Sequence, residues 1–412
     1  MSLPPLSAAS SPEQPTPLVM TPTQVVLLLS VLLGIQPITT DLYLASLPAI
    51  GRELGASMAQ LQLTLTALLL SFGLSQLVWG PISDRVGRRP VILWGLGLYS
   101  AAAWLSVLST HIQGLIVCRA LQGMAMGAVV MAARAIVRDL YNPQEGARAM
   151  SKGLSGLGFF ALASPVLGGW LASMGGWSWA LSALGSFGVL AWVHVWLQLK
   201  ETLPPERRIR SGPWVSPRQW LGIVGHRGFQ AFALQSSCAY GVLFTYLATS
   251  PFVFIQKLGL TGLCYGSLLA CSSLSYLSGT FFCRWLLRRL PVHRVAAWGG
   301  AITFCGAWLV VLSAMVLTPT WWSLAMPIML MIFAHGIHQP IGQSASIAPF
   351  PHEAGTASAL NGFAMMLAAF VMGQWLGHRF DGSIEPLVHG LAFWGSALAL
   401  TCWTGVQRHG RF

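Results

Sequence analysis

The sequence predicts an all-α membrane protein with twelve transmembrane helices in two six-helix bundles. Three observations predict it. Hydrophobic residues make up 54% of the 412-residue chain and charged residues only 8%, against roughly 25% charged in soluble domains, so much of the surface must face lipid. Twelve apolar runs approach the ~20 residues that a helix needs to cross the hydrocarbon core. The basic residues collect between alternate pairs of those runs.

Along the chain the predicted spans are 23–48, 59–80, 90–109, 112–134, 153–173 and 177–198, then 228–255, 262–284, 294–316, 322–344, 354–376 and 386–405. Lys and Arg test this count, because they concentrate in cytoplasmic loops. With the amino terminus inside, nineteen of the 23 fall on cytoplasmic segments, from Arg85 to Arg411. Only Arg52, Lys257 and Arg379 fall outside, and Arg119 lies within a span. One helix more or fewer would invert every later loop and scramble the ratio. Both termini are therefore expected in the cytoplasm.

The longest polar stretch between spans is 199–227. It divides the chain into a first bundle over 23–198 and a second over 228–405, with 199–227 as a cytoplasmic central loop. An even division of this kind suggests repeated bundles around a central site. Gly80-x-x-x-Asp84-Arg85-x-x-Arg88 is faintly echoed by Gly279-x-x-x-Cys283-Arg284-x-x-x-Arg288, with the acid missing and the spacing slipped by one. Residues 1–22, rich in Pro and Ser, lack the basic start and apolar stretch of a secretory signal. They read as a disordered cytoplasmic tail, and 406–412 as a short second one.

The net charge of +12 does not point to nucleic acid. The basic residues sit in short loops between apolar runs, a pattern that anionic lipid and topology explain. None of the seven cysteines forms a C-x-x-C pair, and nearly all lie inside apolar runs, as free buried thiols do. No nucleophile–base set, zinc spacing or Walker loop is present, so no enzyme and no ATP-driven pump is expected.

Four segments carry chemistry. The first span ends in Thr39-Thr40-Asp41-Leu42-Tyr43-Leu44-Ala45-Ser46-Leu47-Pro48, and Asp41 is the only acid inside any predicted span. Low dielectric disfavours a charged carboxylate, so a carboxyl group there can take and release a proton. Permanent pairing with Arg119 is the structural alternative. Both residues lie seven positions from the predicted outer face, about 10 Å deep at 1.5 Å per residue, so a contact between them is geometrically possible. The segment after the second span reads Gly80-Pro-Ile-Ser-Asp84-Arg85-Val-Gly87-Arg88-Arg89-Pro90. Gly80 would let two helices approach closely, and Asp84 can pair with an Arg or accept from a helix start, making a conformational latch. Arg119 stands in Leu115-x-x-x-Arg119-x-x-Gln122-Gly123, and a cation in a span needs partners or water. The fifth span holds Ser164-Pro165-x-x-Gly168-Gly169, where Pro removes a backbone hydrogen bond and Gly permits close packing. It reads as a hinge.

The Gly80–Pro90 segment resembles the signature loop of the major facilitator superfamily, and the Arg119 pattern resembles the fourth-helix motif of its proton antiporters. The fifth-helix motif is similar to that of its exporters, with Ser164 where Gly is usual. The Asp41-Leu-Tyr-Leu…Leu47-Pro48 segment, the Arg119 pattern and Glu201-Thr-Leu-Pro-Pro-Glu206-Arg-Arg208, with Ala354-Gly355-Thr356 fitting too, resemble the Bcr/CflA branch of drug/proton antiporters, and the resemblance covers nearly the whole chain. The resemblance implies a bacterial inner-membrane exporter of antibiotics such as chloramphenicol or bicyclomycin, with Asp41 and Arg119 in proton coupling. A carrier of a native metabolite, an amino acid or a sugar, is the alternative. The expected partners are a small-molecule substrate, protons and membrane lipid, with no nucleic acid and no cofactor beyond the proton gradient. One chain holds a full set of helices, so a functional monomer is expected.

Candidate cavity residues are Tyr43, Gln122, His335, His338 and Gln339. Phe72, Tyr240, Phe244 and Tyr246 can line the cavity or simply pack. His335 and His338, three apart, share a helix face and can hydrogen-bond cargo or relay protons; packing is the alternative. They lie deeper than Asp41, and no third metal ligand is nearby. Trp177, Trp179, Trp321 and Trp322 fall at predicted outer ends, as interfacial anchors do.

Overall fold

The computed structural model describes residues 20–141, 143–208, 217–316, 318–350, 353–379 and 381–410. Most of the predicted amino-terminal tail (1–19), part of the central loop (209–216) and the last two residues lie outside the described residues. The first half comprises α1 (Pro22–Leu44), the short α2 (Leu47–Glu53), α3 (Met58–Val86), α4 (Arg88–Val107), α5 (Ile112–Leu140), α6 (Pro143–Gly175) and α7 (Trp177–Gln198). A short α8 (Pro217–Gly225) then leads into α9 (Arg227–Ser250), which continues as a π turn, Pro251–Lys257. The rest are α10 (Gly262–Leu287), α11 (Val292–Val316), α12 (Trp321–Ile347), α13 (Ala354–Arg379), α14 (Glu385–Trp403) and the short α15 (Gly405–His409).

Among the described residues, eleven segments are long and apolar enough to cross a membrane. The twelfth, α10, is long enough at 26 residues, but Ser267, Ser272, Ser273, Ser275 and Ser278 lower its hydropathy. Local chemistry sets the helix starts. Thr21 and Ser57 each cap their helix by a reciprocal box, with Gln24 and Gln60 respectively, satisfying N–H groups that the first turn leaves free.

Three helices outrun their predicted spans by six residues or more. α3 runs to Val86, α5 to Leu140, and α6 starts at Pro143. Apolar counting sees only the part of a helix in lipid, whereas the hydrogen-bonded turns continue into water. The predicted loop Gly80–Pro90 is thus mostly helix, and only Gly87, at φ +115°, makes the turn between α3 and α4. Two spans are interrupted instead. The first ends at Leu44 before Pro48, and the seventh changes to π geometry at Pro251, because a proline ring clashes with the carbonyl four residues earlier. The central loop and the carboxy-terminal tail also contain helix, in α8 and α15.

Helix packing repeats six spans apart. α3 packs on α5, α1 on α6, and α4 on α5 and α7; correspondingly α10 packs on α12, α9 on α13, and α11 on α12 and α14. The halves meet along two seams, α3 against α13 and α6 against α10, which exchange under the same pseudo-two-fold. Both ends of the described chain and most basic residues lie at one end of the molecule, here the basic end. At the opposite end the seams are tight. Gln62 Nε2 donates to the Ala248 carbonyl at 2.9 Å, and α2 touches the π turn.

The α3–α13 seam loosens toward the basic end. A Cβ on Gly73 would lie 2.9 Å from Met366, whereas one on Gly80 would meet nothing within 4 Å. Gly80 therefore does not mediate the close approach expected of it. Of the predicted tryptophan anchors, Trp179, Trp321 and Trp322 are exposed. Trp177 is buried and donates to Glu53 at 2.7 Å, so it packs rather than anchors.

Candidate functional site

Arg119 is fully buried in α5. Its Nη1 donates to Gln122 Oε1 at 2.7 Å, its Nη2 donates to the Thr39 carbonyl at 3.0 Å, and the guanidinium sits 4.2 Å over the Tyr43 ring. Its Nε has no partner. Thr39 Oγ1 meets Tyr99 OH at 2.7 Å, and Tyr43 OH donates to Thr64 at 2.9 Å. One cation thus ties α1, α3, α4 and α5 together. The cage accounts for two predicted cavity residues, because Gln122 and Tyr43 are consumed in it and fully buried. Phe72, Phe244 and Tyr246 are also buried, while Tyr240 keeps some exposure.

Asp41 is not in that cage. Among the described residues no ion pair joins it to Arg119, although the two share a depth; Arg119 holds the backbone two residues earlier instead. Asp41 is half-buried and accepts from Thr40 Oγ1 at 2.8 Å. Tyr240 and Tyr246 of α9 and Tyr265 of α10 lie within electrostatic range of its carboxyl. The single acid of the predicted spans therefore acts electrostatically on the second half of the molecule.

At the basic end Arg88 is the centre of a charge cluster. Its Nη1 meets Asp84 Oδ1 at 2.6 Å and its Nε meets Asp139 Oδ2 at 2.8 Å. Glu201, beyond α7, accepts from the backbone N–H of Arg88 at 2.9 Å, of Arg89 at 3.3 Å, and of Thr202 and Leu203 at 3.0 Å each. It caps α4, with its negative charge at the positive end of the helix. A Cβ on Gly87 would sit 2.2 Å from Glu201 Oε2, so Gly is required both for the positive φ and for room. Arg89 donates to the Trp196 carbonyl at 3.1 Å. Asp84 thus pairs with an Arg, and among the described residues no helix start is seen to donate to it. Asp139 was not foreseen, for no spacing relates position 139 to position 88.

The Ser164–Gly169 segment lies on the α6–α10 seam. Pro165 cannot bond the Ala161 carbonyl four residues back, and that carbonyl accepts from Ser273 Oγ of α10 at 3.0 Å. Ser164 Oγ returns to the Phe160 carbonyl. A Cβ on Gly168 would lie 2.2 Å from the Leu42 carbonyl oxygen of α1, and one on Gly169 would lie 2.2 Å from that of Gly262 in α10. Gly168 therefore closes a contact within the first half, and Gly169 closes one between halves.

His335 and His338 sit in the same helix but do not share surroundings. His338 is fully buried, with Nδ1 3.2 Å from Gln235 Nε2 of α9 and Nε2 3.3 Å from Thr303 Oγ1 of α11. It is a packed histidine. His335 is 4% exposed, and among the described residues neither ring nitrogen makes a well-formed hydrogen bond, although the Ala239 carbonyl of α9 lies within reach. Gln339 is half-buried and accepts a short hydrogen bond from Tyr276 OH of α10. No group of three potential metal ligands is found among the described residues.

Comparison with known proteins bears on this arrangement. The family described as Major Facilitator Superfamily matches residues 29–373. Multidrug resistance protein D of Escherichia coli (strain K12) is 29% identical, covering 82% of this chain and 84% of its own. The bicyclomycin resistance protein homolog of Haemophilus influenzae is 24% identical over 88% of this chain and 91% of its own. The crystal structure of a D-xylose-proton symporter shares the fold at a TM-score of 0.75 and 13% identity, covering 93% of this chain and 97% of that one.

Proposed function

The chain belongs to the major facilitator superfamily and is a multi-pass membrane transporter, and on that premise we propose that it exports small drug-like molecules from a bacterial cytoplasm in exchange for protons. The observation that carries this reading is the position of Asp41. It is the one acid within the predicted spans, it is half-buried rather than locked to Arg119, and tyrosines of the other half lie within electrostatic range of it. A carboxyl group at a moving interface can hold a proton in one state and release it when cargo arrives. The resistance names carried by the two curated relatives support drug-like cargo.

In this reading the basic end is cytoplasmic, both termini lie inside, and the protein sits in the inner membrane as a functional monomer. The proton gradient drives it and no cofactor takes part. Cargo enters at the loosened end of the α3–α13 seam. The Arg88 cluster fixes the α3–α4 turn as the halves rock, and the Pro165 segment lets α6 adjust against α10. Arg119 keeps the backbone before Asp41 in register, so that the carboxyl presents the same face through the cycle.

Drug-dependent proton release from the purified protein tests the reading, with a panel including chloramphenicol and bicyclomycin. Wild-type protein is expected to release protons on drug addition, and Asp41→Asn to release none while keeping its thermal stability. Equal release by the variant refutes Asp41 as the coupling group. A response to amino acids or sugars with none to drugs refutes the cargo.

A further inference from the structure

His335 is the one histidine among the described residues buried with neither ring nitrogen in a well-formed hydrogen bond, the Ala239 carbonyl of α9 lying within reach of its ring N–H. Buried polar groups without a partner are rare in native proteins, and a neutral imidazole carries one donor and one acceptor. Its direction follows from helix geometry. His335 is nine residues beyond Met326, which is 67% exposed; nine residues are about two and a half turns, so the imidazole points away from the lipid face. Gln339, at i+4, lies on the same side of the helix.

Tyr276 of α10 leans over both. Its ring centroid is 5.8 Å from that of His335, and its hydroxyl donates to Gln339 Oε1. Tyr276 sits two residues from the exposed Leu274, again on the opposite side of its helix. It adjoins Ser273 and Leu277, which touch α6 of the first half. His335 is buried, while Tyr276 and Gln339 beside it keep part of their surface exposed. Among the described residues no charged side chain bonds any of the three.

We propose that His335, Tyr276 and Gln339 form a hydrogen-bonding subsite in the second half, which takes an oxygen acceptor of uncharged cargo, a carbonyl, nitro or sulfonyl group. Tyr276 occupies Gln339 Oε1, which leaves the Gln339 amide N–H groups as donors, and the imidazole supplies another when its N–H turns from the Ala239 carbonyl to the cargo. The subsite thus presents donors without charge, whereas Asp41 presents the negative charge that a cation would seek. Cargo class would divide between the halves: Asp41 discriminates by charge, His335 and Gln339 by acceptor groups. This rests on the export reading above, and its test separates the two.

The experiment is equilibrium binding to the purified full-length chain in detergent. Chloramphenicol is the neutral, acceptor-bearing probe, and tetraphenylphosphonium the cation without acceptors. His335→Leu and Gln339→Leu are each expected to weaken chloramphenicol binding at least tenfold and to leave tetraphenylphosphonium within about twofold. His335→Gln, which restores an N–H, is expected to recover most of the affinity and carries the test if His335→Leu does not fold. Unchanged chloramphenicol binding in the variants, or equal loss of both probes in a variant of wild-type thermal stability, overturns the subsite. If wild-type protein binds the cation but not chloramphenicol, the subsite alone falls. If it binds neither, the drug-export reading falls and the subsite with it.

Discussion

Gly169→Ala should open the end of the transporter opposite the basic end. A Cβ at position 169 would lie 2.2 Å from the Gly262 carbonyl oxygen, and ordinary contact begins near 3.4 Å. The obstacle is backbone, so the two helices must part by about 1 Å. Overpacking of this kind costs about 1–3 kcal/mol. Gly169 and Gly262 belong to different halves, so the cost falls on the state in which this end is closed and vanishes when it opens. A differential of that size shifts the balance between states by roughly 5- to 150-fold. Gly168→Ala is the control, because its Cβ meets the Leu42 carbonyl oxygen at the same 2.2 Å but within the first half. That clash persists in every state and should lower stability without shifting the balance. Gly266→Ala, whose Cβ would lie 2.3 Å from the Pro165 carbonyl oxygen on the same seam, should behave like Gly169→Ala. The assay is double electron–electron resonance between spin labels at positions 52 and 257, on α2 and the π turn, in a background without native cysteines. Gly169→Ala and Gly266→Ala should lengthen the main distance, and Gly168→Ala should lower the melting temperature alone. Identical distance distributions in Gly168→Ala and Gly169→Ala would refute the reasoning.

The other predictions concern the basic end. Glu201→Ala removes the acceptor of four backbone N–H groups and should cost about 1–2 kcal/mol, from a lost cap and a lost charge–dipole interaction, read as the melting temperature in detergent. Gly87→Ala should cost more, since it adds left-handed strain of about 1–2 kcal/mol to a collision with Glu201. The double variant should cost less than the sum of the singles, and strict additivity would show that the two do not share a site. Arg88→Lys can keep one carboxylate but not both. It should lose about 1.5–3 kcal/mol, mainly from the better buried Asp139, and slow transport; an unchanged melting temperature would count against the cluster as a fastener.

How much of this was legible beforehand varies by residue. The spans were readable because apolarity belongs to each side chain regardless of its neighbours. Arg119 stood out because a cation in lipid is conspicuous in any fold. Its cage was not readable. Arg88 and Asp139 are 51 residues apart, Arg88 and Glu201 are 113, and Tyr276 and Gln339 are 63. No local spacing says which of twelve helices will lie beside which.

The sequence by itself determined that the chain is an all-α membrane protein, where its long apolar helices fall, and which loops carry the basic residues, since water, lipid and charge act on each residue separately. Only the tertiary structure decided that Arg119 grips Thr39 rather than Asp41, that Gly80 faces open space while Gly169 seals a seam, and that His335 lies buried beside Tyr276. These depend on how two bundles are tilted in one conformation of a moving protein, and the tilt is a sum over many weak contacts distant in the chain.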